Sequence, residues 1–340
     1  MNLTDAPQTD PLTLYRYRDG LYAVDLLTAL VVHFDFFSKL GDDCLPEDGL
    51  RDQFGFASRP FDVALTLLAA NGLIERTAEG IRSTDTAREH LISGTGWDLS
   101  PYYASLHDRP IARDYVEVLK SGRPAGWSGD KASGDWHVAM EDETFARKFT
   151  AAMDCRGRYL AQALAKKLDL SGRRRVLDIG GGSGIYACSL VAANSGLSGC
   201  VLEQRPVDRI CRRLIEERGF ADRVEVAVGN MFDGMPAGCD VHLFSNVLHD
   251  WDVPEVRQLL AASSNVLQPG DLLVIHDAFI NDDKTGPLHV AEYSCLLMHS
   301  TQGKCYSSAE YAELMHEAGF EPGAYRDTVV GRGFMTGAKR

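Results

Sequence analysis

The feature that most limits what this chain can fold into is the run Val176-Leu177-Asp178-Ile179-Gly180-Gly181-Gly182-Ser183-Gly184, in which an apolar stretch ends in four glycines. Glycines at the end of a strand let backbone amides approach a ligand closely, because any side chain there would collide with it. Residues 174–179, 198–202, 224–228, 241–244 and 272–275 are short runs rich in Val, Ile and Leu. Helical patterns separate them at 185–193, 207–218 and 253–267. Such alternation predicts an α/β fold with a Rossmann-like, doubly wound, mostly parallel sheet covered on both faces. Its ligands bind beyond the carboxyl ends of the strands.

The amino-terminal part reads differently. Residues 22–40 are apolar nearly all round, which suits a helix buried in a bundle or an interface. Residues 59–71 place Phe61, Ala64, Leu65 and Leu68 on one face, and Gly72 stops the helix. Two short strands, 73–76 and 81–84, surround a tight turn. Helix, helix and two-stranded wing form the outline of a winged helix-turn-helix, which by itself suggests DNA binding. Yet Arg59 is the only basic residue of the supposed recognition helix, and the net charge of -13 opposes a phosphate backbone. A mainly α module for dimerisation and for roofing a site is therefore expected, with no nucleic acid partner. Residues 94–131 are a connector rich in Gly, Pro and Ser with one helix at 111–119, and a helical stretch at 142–168 leads into the sheet.

With 340 residues the chain exceeds one ordinary domain. The expected layout is a winged-helix-like dimerisation domain at 1–105, a helical connector contributing to the substrate pocket at 106–160, and a catalytic domain at 161–340. Residues 1–10 lack a basic patch leading into an apolar run, and 26–37 are interrupted by His33 and Asp35, short of a membrane span. A cytoplasmic protein without a membrane partner is expected. The eight cysteines include no C-x-x-C pair, so most read as small buried hydrophobes and none as a zinc or redox motif.

Two acids separate this glycine-rich turn from a dinucleotide site. Asp178 could meet a ligand's cationic amino group, where a pyrophosphate would be repelled, or it could cap the following helix. Glu203 ends the second strand, where a carboxylate can accept both ribose hydroxyls. In this order the motifs resemble the class I S-adenosylmethionine-dependent methyltransferases. More closely, residues 21–339 resemble the plant and bacterial small-molecule O-methyltransferases with an amino-terminal winged-helix dimerisation domain. The resemblance implies S-adenosylmethionine as cofactor, S-adenosylhomocysteine as product, and a homodimer. It places Asp178, Gly180, Gly182 and Gly184 on the amino acid part of the cofactor and Glu203 on the ribose. Val228-Gly229-Asn230-Met231-Phe232 resembles the family's Gly-Asp-Met-Phe adenine site, with Asn230 as a neutral acceptor where an aspartate is usual and Met231 against the adenine face. The other reading of that segment is a strand-end turn with a core methionine. Ser245, ending the fourth strand, completes the cofactor set.

Methyl transfer from a sulfonium is an in-line displacement, and for a hydroxyl acceptor a proton must also leave. Histidine is the natural base. His249-Asp250-Trp251 resembles the family's catalytic histidine motif, which makes His249 the general base, with Asp250 read as the cap of a helix starting near Pro254. In Ile275-His276-Asp277 the resemblance gives Asp277 the orienting role, and alternation leaves His276 as a packed residue. Cys305 stands where plant members carry a further glutamate, which weakens the transfer of their mechanism. Phe149 and Met153, one turn apart, face the acceptor by that likeness, as do Tyr293, Leu296 and His299 after Pro287, although such a stripe is more often plain core. Aromatic walls suit a planar guest. His289 and Glu292 lack a third ligand, so no metal is expected.

The resulting expectation is O-methylation of a hydroxyl on a small aromatic or specialised metabolite. Its rivals are C- or N-methylation, a family member repurposed for a non-methylating step, and a winged-helix regulator sensing S-adenosylmethionine. Charge argues against the last.

Overall fold

Strands buried on both faces of a parallel sheet need continuous apolar runs, and the carboxy-terminal half supplies them. The computed structural model describes residues 3–125 and 140–340. Its strands are β1 (Ile74–Arg76), β2 (Ile81–Ser83), β3 (Arg175–Ile179), β4 (Ser198–Glu203), β5 (Val224–Val228), β6 (Val241–Ser245), β7 (Leu272–Ala278), β8 (Phe320–Pro322), β9 (Arg326–Asp327) and β10 (Arg332–Lys339). Among the described residues two compact units are formed. One draws on Met1–Leu12, Trp136–Phe279 and Tyr306–Arg340, the other on Thr13–Asp135 and Ile280–Cys305.

The first unit is built on the sheet in the order β5-β4-β3-β6-β7-β10-β8, with β9 paired to β10. The five strands from β5 to β7 are parallel, as the alternation predicts, and β10 runs antiparallel to β7. The closing strand β10 is absent from the sequence reading because Gly333 and Gly337 dilute its pattern. Gly333 is there for contact: a Cβ would stand 2.3 Å from the Tyr325 ring. The helix Glu143–Lys167 begins at the N-cap Asp142, whose side chain accepts from the Phe145 N–H at 2.7 Å.

The second unit gathers the amino-terminal helices, the β1–β2 hairpin and the apolar helix Leu288–Ser300. The linear boundaries at 105 and 160 give way to this interleaved division because that helix packs on Ser58–Ala70 and buries Cys295 and Met298 in their common core. The continuous helix expected at 22–40 is broken. Ala23–Thr28 passes into a π-helical turn at Ala29–His33, and Asp35 (φ 51) starts a new helix, Phe36–Leu40. One helical stripe cannot turn Phe34, Phe36 and Phe37 inward together, and the break lets all three be buried. Arg59, the sole cation of the supposed recognition helix, is also turned inward, donating to the carbonyls of Gly303 and Gly122 at 2.7 Å each. From Gly126 to Lys131 the expected connector lies outside the described residues. No helix among those described is long and apolar enough to cross a membrane.

Two histidines are sealed in the sheet. His242 contacts Ser263 Oγ through Nδ1 at 3.1 Å, its Nε2 has no partner among the described residues, and burial pushes it down to about 4. His276 is held down to about 3 in the same way. The unfolded chain protonates such rings near 6.5, so from there down to about pH 4 the unfolded state holds the extra protons. Each ring therefore withdraws on the order of 1.4 kcal/mol per pH unit. Asp178, Glu203 and Asp250, raised by burial, act in the opposite sense over part of this window. The test is consequently a difference: His242→Leu should flatten the acid fall in melting temperature by a few degrees at pH 4.5 relative to the unchanged protein. Parallel curves would show that the ring is protonated without penalty.

Candidate active site

β3 and β6 are paired neighbours, yet the chain leaves β3 toward β4 and leaves β6 toward β7. Between the diverging connections lies the crevice in which such sheets bind ligands. The loop 180–184 forms one lip and the turn after β6 the other. Gly180 (φ +63) comes so near Val247 that a Cβ would stand 3.3 Å from its Cγ2.

Glu203, at the end of β4, accepts the Gly182 N–H on Oε1 at 3.0 Å and the Gln204 N–H on Oε2 at 2.8 Å. Burial pushes its carboxyl up to about 7 against both donors. Gly182 (φ +57) has nothing within 4 Å of where a Cβ would stand, so its outer side is open. Gly184 (φ +72) carries the loop into the helix Ile185–Ala193, at whose start it stands. Asp178 lies elsewhere. It is 1% exposed beneath Gly181, whose Cβ would stand 2.5 Å from the carboxylate carbon. Its Oδ2 accepts the Ala187 N–H at 3.1 Å, and its Oδ1 is buried without a partner among the described residues. Of the two readings open for Asp178, the geometry carries the helix cap: the strand directs the side chain under the loop, and burial pushes it up to about 7.

Asn230 is engaged in its own turn, Oδ1 accepting the Phe232 N–H at 3.0 Å, and Met231 is half-buried beside it. Phe232 stands edge-on to Trp251, with centroids 4.6 Å apart. Ser245 Oγ lies 2.9 Å from His276 Nδ1, which ties this strand end to β7. Asn246 then takes φ 53, a conformation that Asn tolerates, and turns the chain into a 3-10 segment, Leu248–Asp250.

That turn aims His249 at β7. His249 is 3% exposed and Asp277 1% exposed, and Nδ1 is hydrogen-bonded to Asp277 Oδ1. Burial alone would raise the Asp277 carboxyl. The charge and hydrogen bond of His249, the Ala278 N–H and Arg332 together outweigh it and hold the group below the usual carboxylate range. Tyr311 O–H reaches Asp277 Oδ2 at 3.4 Å, a contact with no local signature in the sequence. Asp250 is not the helix cap. Asp252 is, accepting the Val253 N–H at 2.8 Å, while Asp250 Oδ1 stands 3.7 Å from His249 Nε2. The 3-10 turn takes up Asp250, which leaves Asp252 next to the helix start at Val253. Burial pushes Asp250 up to about 6, with His249 pulling against it and Asp277 adding to it.

Phe149 and Met153 are half-buried on the helix Glu143–Lys167, where Phe149 stacks on Phe145 with centroids 6.1 Å apart. Tyr293, Leu296 and His299 belong to the second unit and are all buried there. His299 contacts Asp114 through Nε2 at 3.3 Å and packs on Tyr22 and Tyr115. Cys305 is buried, its N–H donating to Ser294 Oγ at 3.0 Å.

Residues 114–321 match the family described as an O-methyltransferase domain. The chain is 30% identical to the 3-hydroxy-5-methyl-1-naphthoate 3-O-methyltransferase of Streptomyces sahachiroi, over 91% of this chain and 89% of that protein. This chain belongs to the O-methyltransferase family. As a member it is an S-adenosylmethionine-dependent methyltransferase. The crystal structure of an O-methyltransferase family 2 protein from Planctomyces limnophilus in complex with apigenin superposes with a TM-score of 0.91 at 30% identity, covering 100% of this chain and 99% of that one. The L-tyrosine C(3)-methyltransferase of Streptomyces lavendulae is 28% identical over 81% of this chain and 77% of its own length.

The residues present fit the methyl donor. Gly182 offers an open backbone surface, and the half-buried Glu203 is already bound to that glycine's N–H. When bound, the donor supplies an electrophilic methyl group on a sulfonium. Glu203→Ala should weaken binding of S-adenosylhomocysteine at least tenfold by calorimetry, and unchanged affinity would remove this carboxylate from cofactor binding. Asp178→Ala should register first as a loss of melting temperature, because it strands the buried Ala187 N–H.

Proposed function

We propose that this methyltransferase transfers the methyl group to a hydroxyl of a small aromatic metabolite, with His249 as general base and Asp277 as its orienting acid. The buried His249–Asp277 hydrogen bond carries the reading. An Nδ1–H donated to a carboxylate fixes the tautomer in which Nε2 holds the proton-accepting lone pair, and the anion compensates the charge that then forms on the ring. The naphthoate and apigenin named for two relatives are aromatic, which supports an acceptor of that class. Glycines 180, 182 and 184, Glu203, Asn230, Met231 and Ser245 would hold the cofactor, with Asp178 supporting the loop from below. Phe149 and Met153 would contribute an acceptor wall from the helix Glu143–Lys167.

His249→Gln should lower kcat by about 100-fold or more while the affinity for S-adenosylhomocysteine stays within about twofold. Equal turnover in the variant would favour transfer to carbon or nitrogen by proximity alone.

The homodimer is part of the same proposal. Leu14 and Tyr17 on the helix Leu12–Asp19, Leu21 in the turn after it and Val24 on the next helix are 73, 81, 45 and 43% exposed, large apolar side chains that a second copy would cover. Light scattering at micromolar concentration should give twice the chain mass, and Tyr17→Asp with Leu21→Asp should shift it toward the monomer. A monomeric mass for the unchanged protein would end this part of the reading.

A further inference from the structure

The glycine-rich loop is gripped from behind by a buried ion pair that joins it to the helix Glu143–Lys167. Arg218, just past the helix Val207–Glu217, is only 11% exposed at its side chain. Its Nη1 donates to the Ser183 carbonyl at 2.8 Å, and its Nη2 pairs with Asp154 Oδ1. Asp154 is 4% exposed, and its Oδ2 accepts from Arg158 Nε at 3.3 Å. Two close approaches flank this bridge. A Cβ on Gly157 would stand 2.5 Å from Ile185 Cγ2, and one on Gly184 would stand 3.0 Å from two side-chain carbons of Ile215. The loop's carboxyl half is thus pressed between two helices, with one guanidinium bonded to both the loop and the longer helix.

We propose that Asp154 and Arg218 are positioning residues for methyl transfer. They hold the loop and the helix bearing Phe149 and Met153 in one register, so that donor and acceptor groups meet in line. The inference rests on the methyl-transfer reading of the site. Three features favour a positioning role over simple stability. The contact is to a loop carbonyl, which no apolar replacement could bind. The fork geometry of Arg engages two partners at once. Asp154 lies one residue beyond Met153, so a shift of this helix moves the face assigned to the acceptor. Transfer rates respond steeply to such displacements, whereas ground-state binding responds weakly.

The test uses the full-length enzyme with an aromatic hydroxyl acceptor that the unchanged protein methylates. Arg218→Ala and Asp154→Ala should each lower kcat about tenfold at 20 °C, with the dissociation constant for S-adenosylhomocysteine changed less than threefold. The double variant should be no worse than either single one, because the two side chains act as a unit. Should the alanine variants fail to fold, Arg218→Lys and Asp154→Asn carry the same comparison, with a smaller loss of kcat expected at each. Variants that lose melting temperature but keep the kcat of the unchanged enzyme would overturn the proposal. So would a double variant whose loss is the product of the two single losses. Failure of the methyl-transfer reading would appear in the unchanged protein, failure of this inference only in the variants.

Discussion

The ladder between β3 and β6 is the constraint on which everything at the site depends. Val176 pairs with Val241 and Ile179 with Phe244, and a one-residue slip would turn Asp178 away from the Ala187 N–H and His242 away from Ser263, leaving both polar side chains buried on the wrong face. The two strands therefore end at one level, and the loop after one meets the turn after the other at Gly180 and Val247. On the next ladder Ser245 pairs with His276. Asp277 follows one residue later, and three further residues of turn bring His249 back onto it. The dyad is thus a consequence of backbone pairing in two adjacent ladders, with the left-handed Asn246 as the corner.

A buried carboxylate such as Asp277 is costly unless its lone pairs find donors. Asp277 meets that condition: His249 and the Ala278 N–H bind Oδ1, and Tyr311 approaches Oδ2. Its neighbour His276 is treated in the opposite way, kept neutral between Ser245 and Thr328 with no carboxylate among the described residues hydrogen-bonded to its ring. Adjacent histidine and aspartate on one strand thus face different environments, because alternation sends one to each side.

Much of this was legible in the sequence because it is written in local patterns. Continuous Val, Ile and Leu runs mark the five parallel strands, and the glycines of 180–184 mark the loop. The pairing of His249 with Asp277 came from family resemblance, since no spacing rule links residues 28 apart. What stayed hidden was non-local or conformational. Asp250 and Asp252 are indistinguishable as caps until the 3-10 turn is seen. Asp178 has the composition of a ligand contact, and only its burial under Gly181 reveals a helix cap. Asp154 and Arg218, 64 positions apart, carry no mutual signal, and neither does the packing of Tyr325 over Gly333 that admits a glycine into β10.

The two halves of the site differ in how firmly the fold specifies them. The proposed donor half would be built from backbone: glycine amides, strand ends and a carboxylate whose oxygens are held by two N–H groups. Substituting side chains elsewhere leaves those groups in place. The proposed acceptor wall would be made of side chains on a helix, where a volume change alters what fits without disturbing any ladder. A scaffold arranged in this way can keep one transfer geometry while its acceptor changes, provided that the helices are held firmly to the loop. A buried guanidinium between Ser183 and Asp154 makes that attachment in the sheet-bearing unit. Under the proposed roles, side chains of Glu143–Lys167 could vary without releasing the helix from the glycine-rich loop.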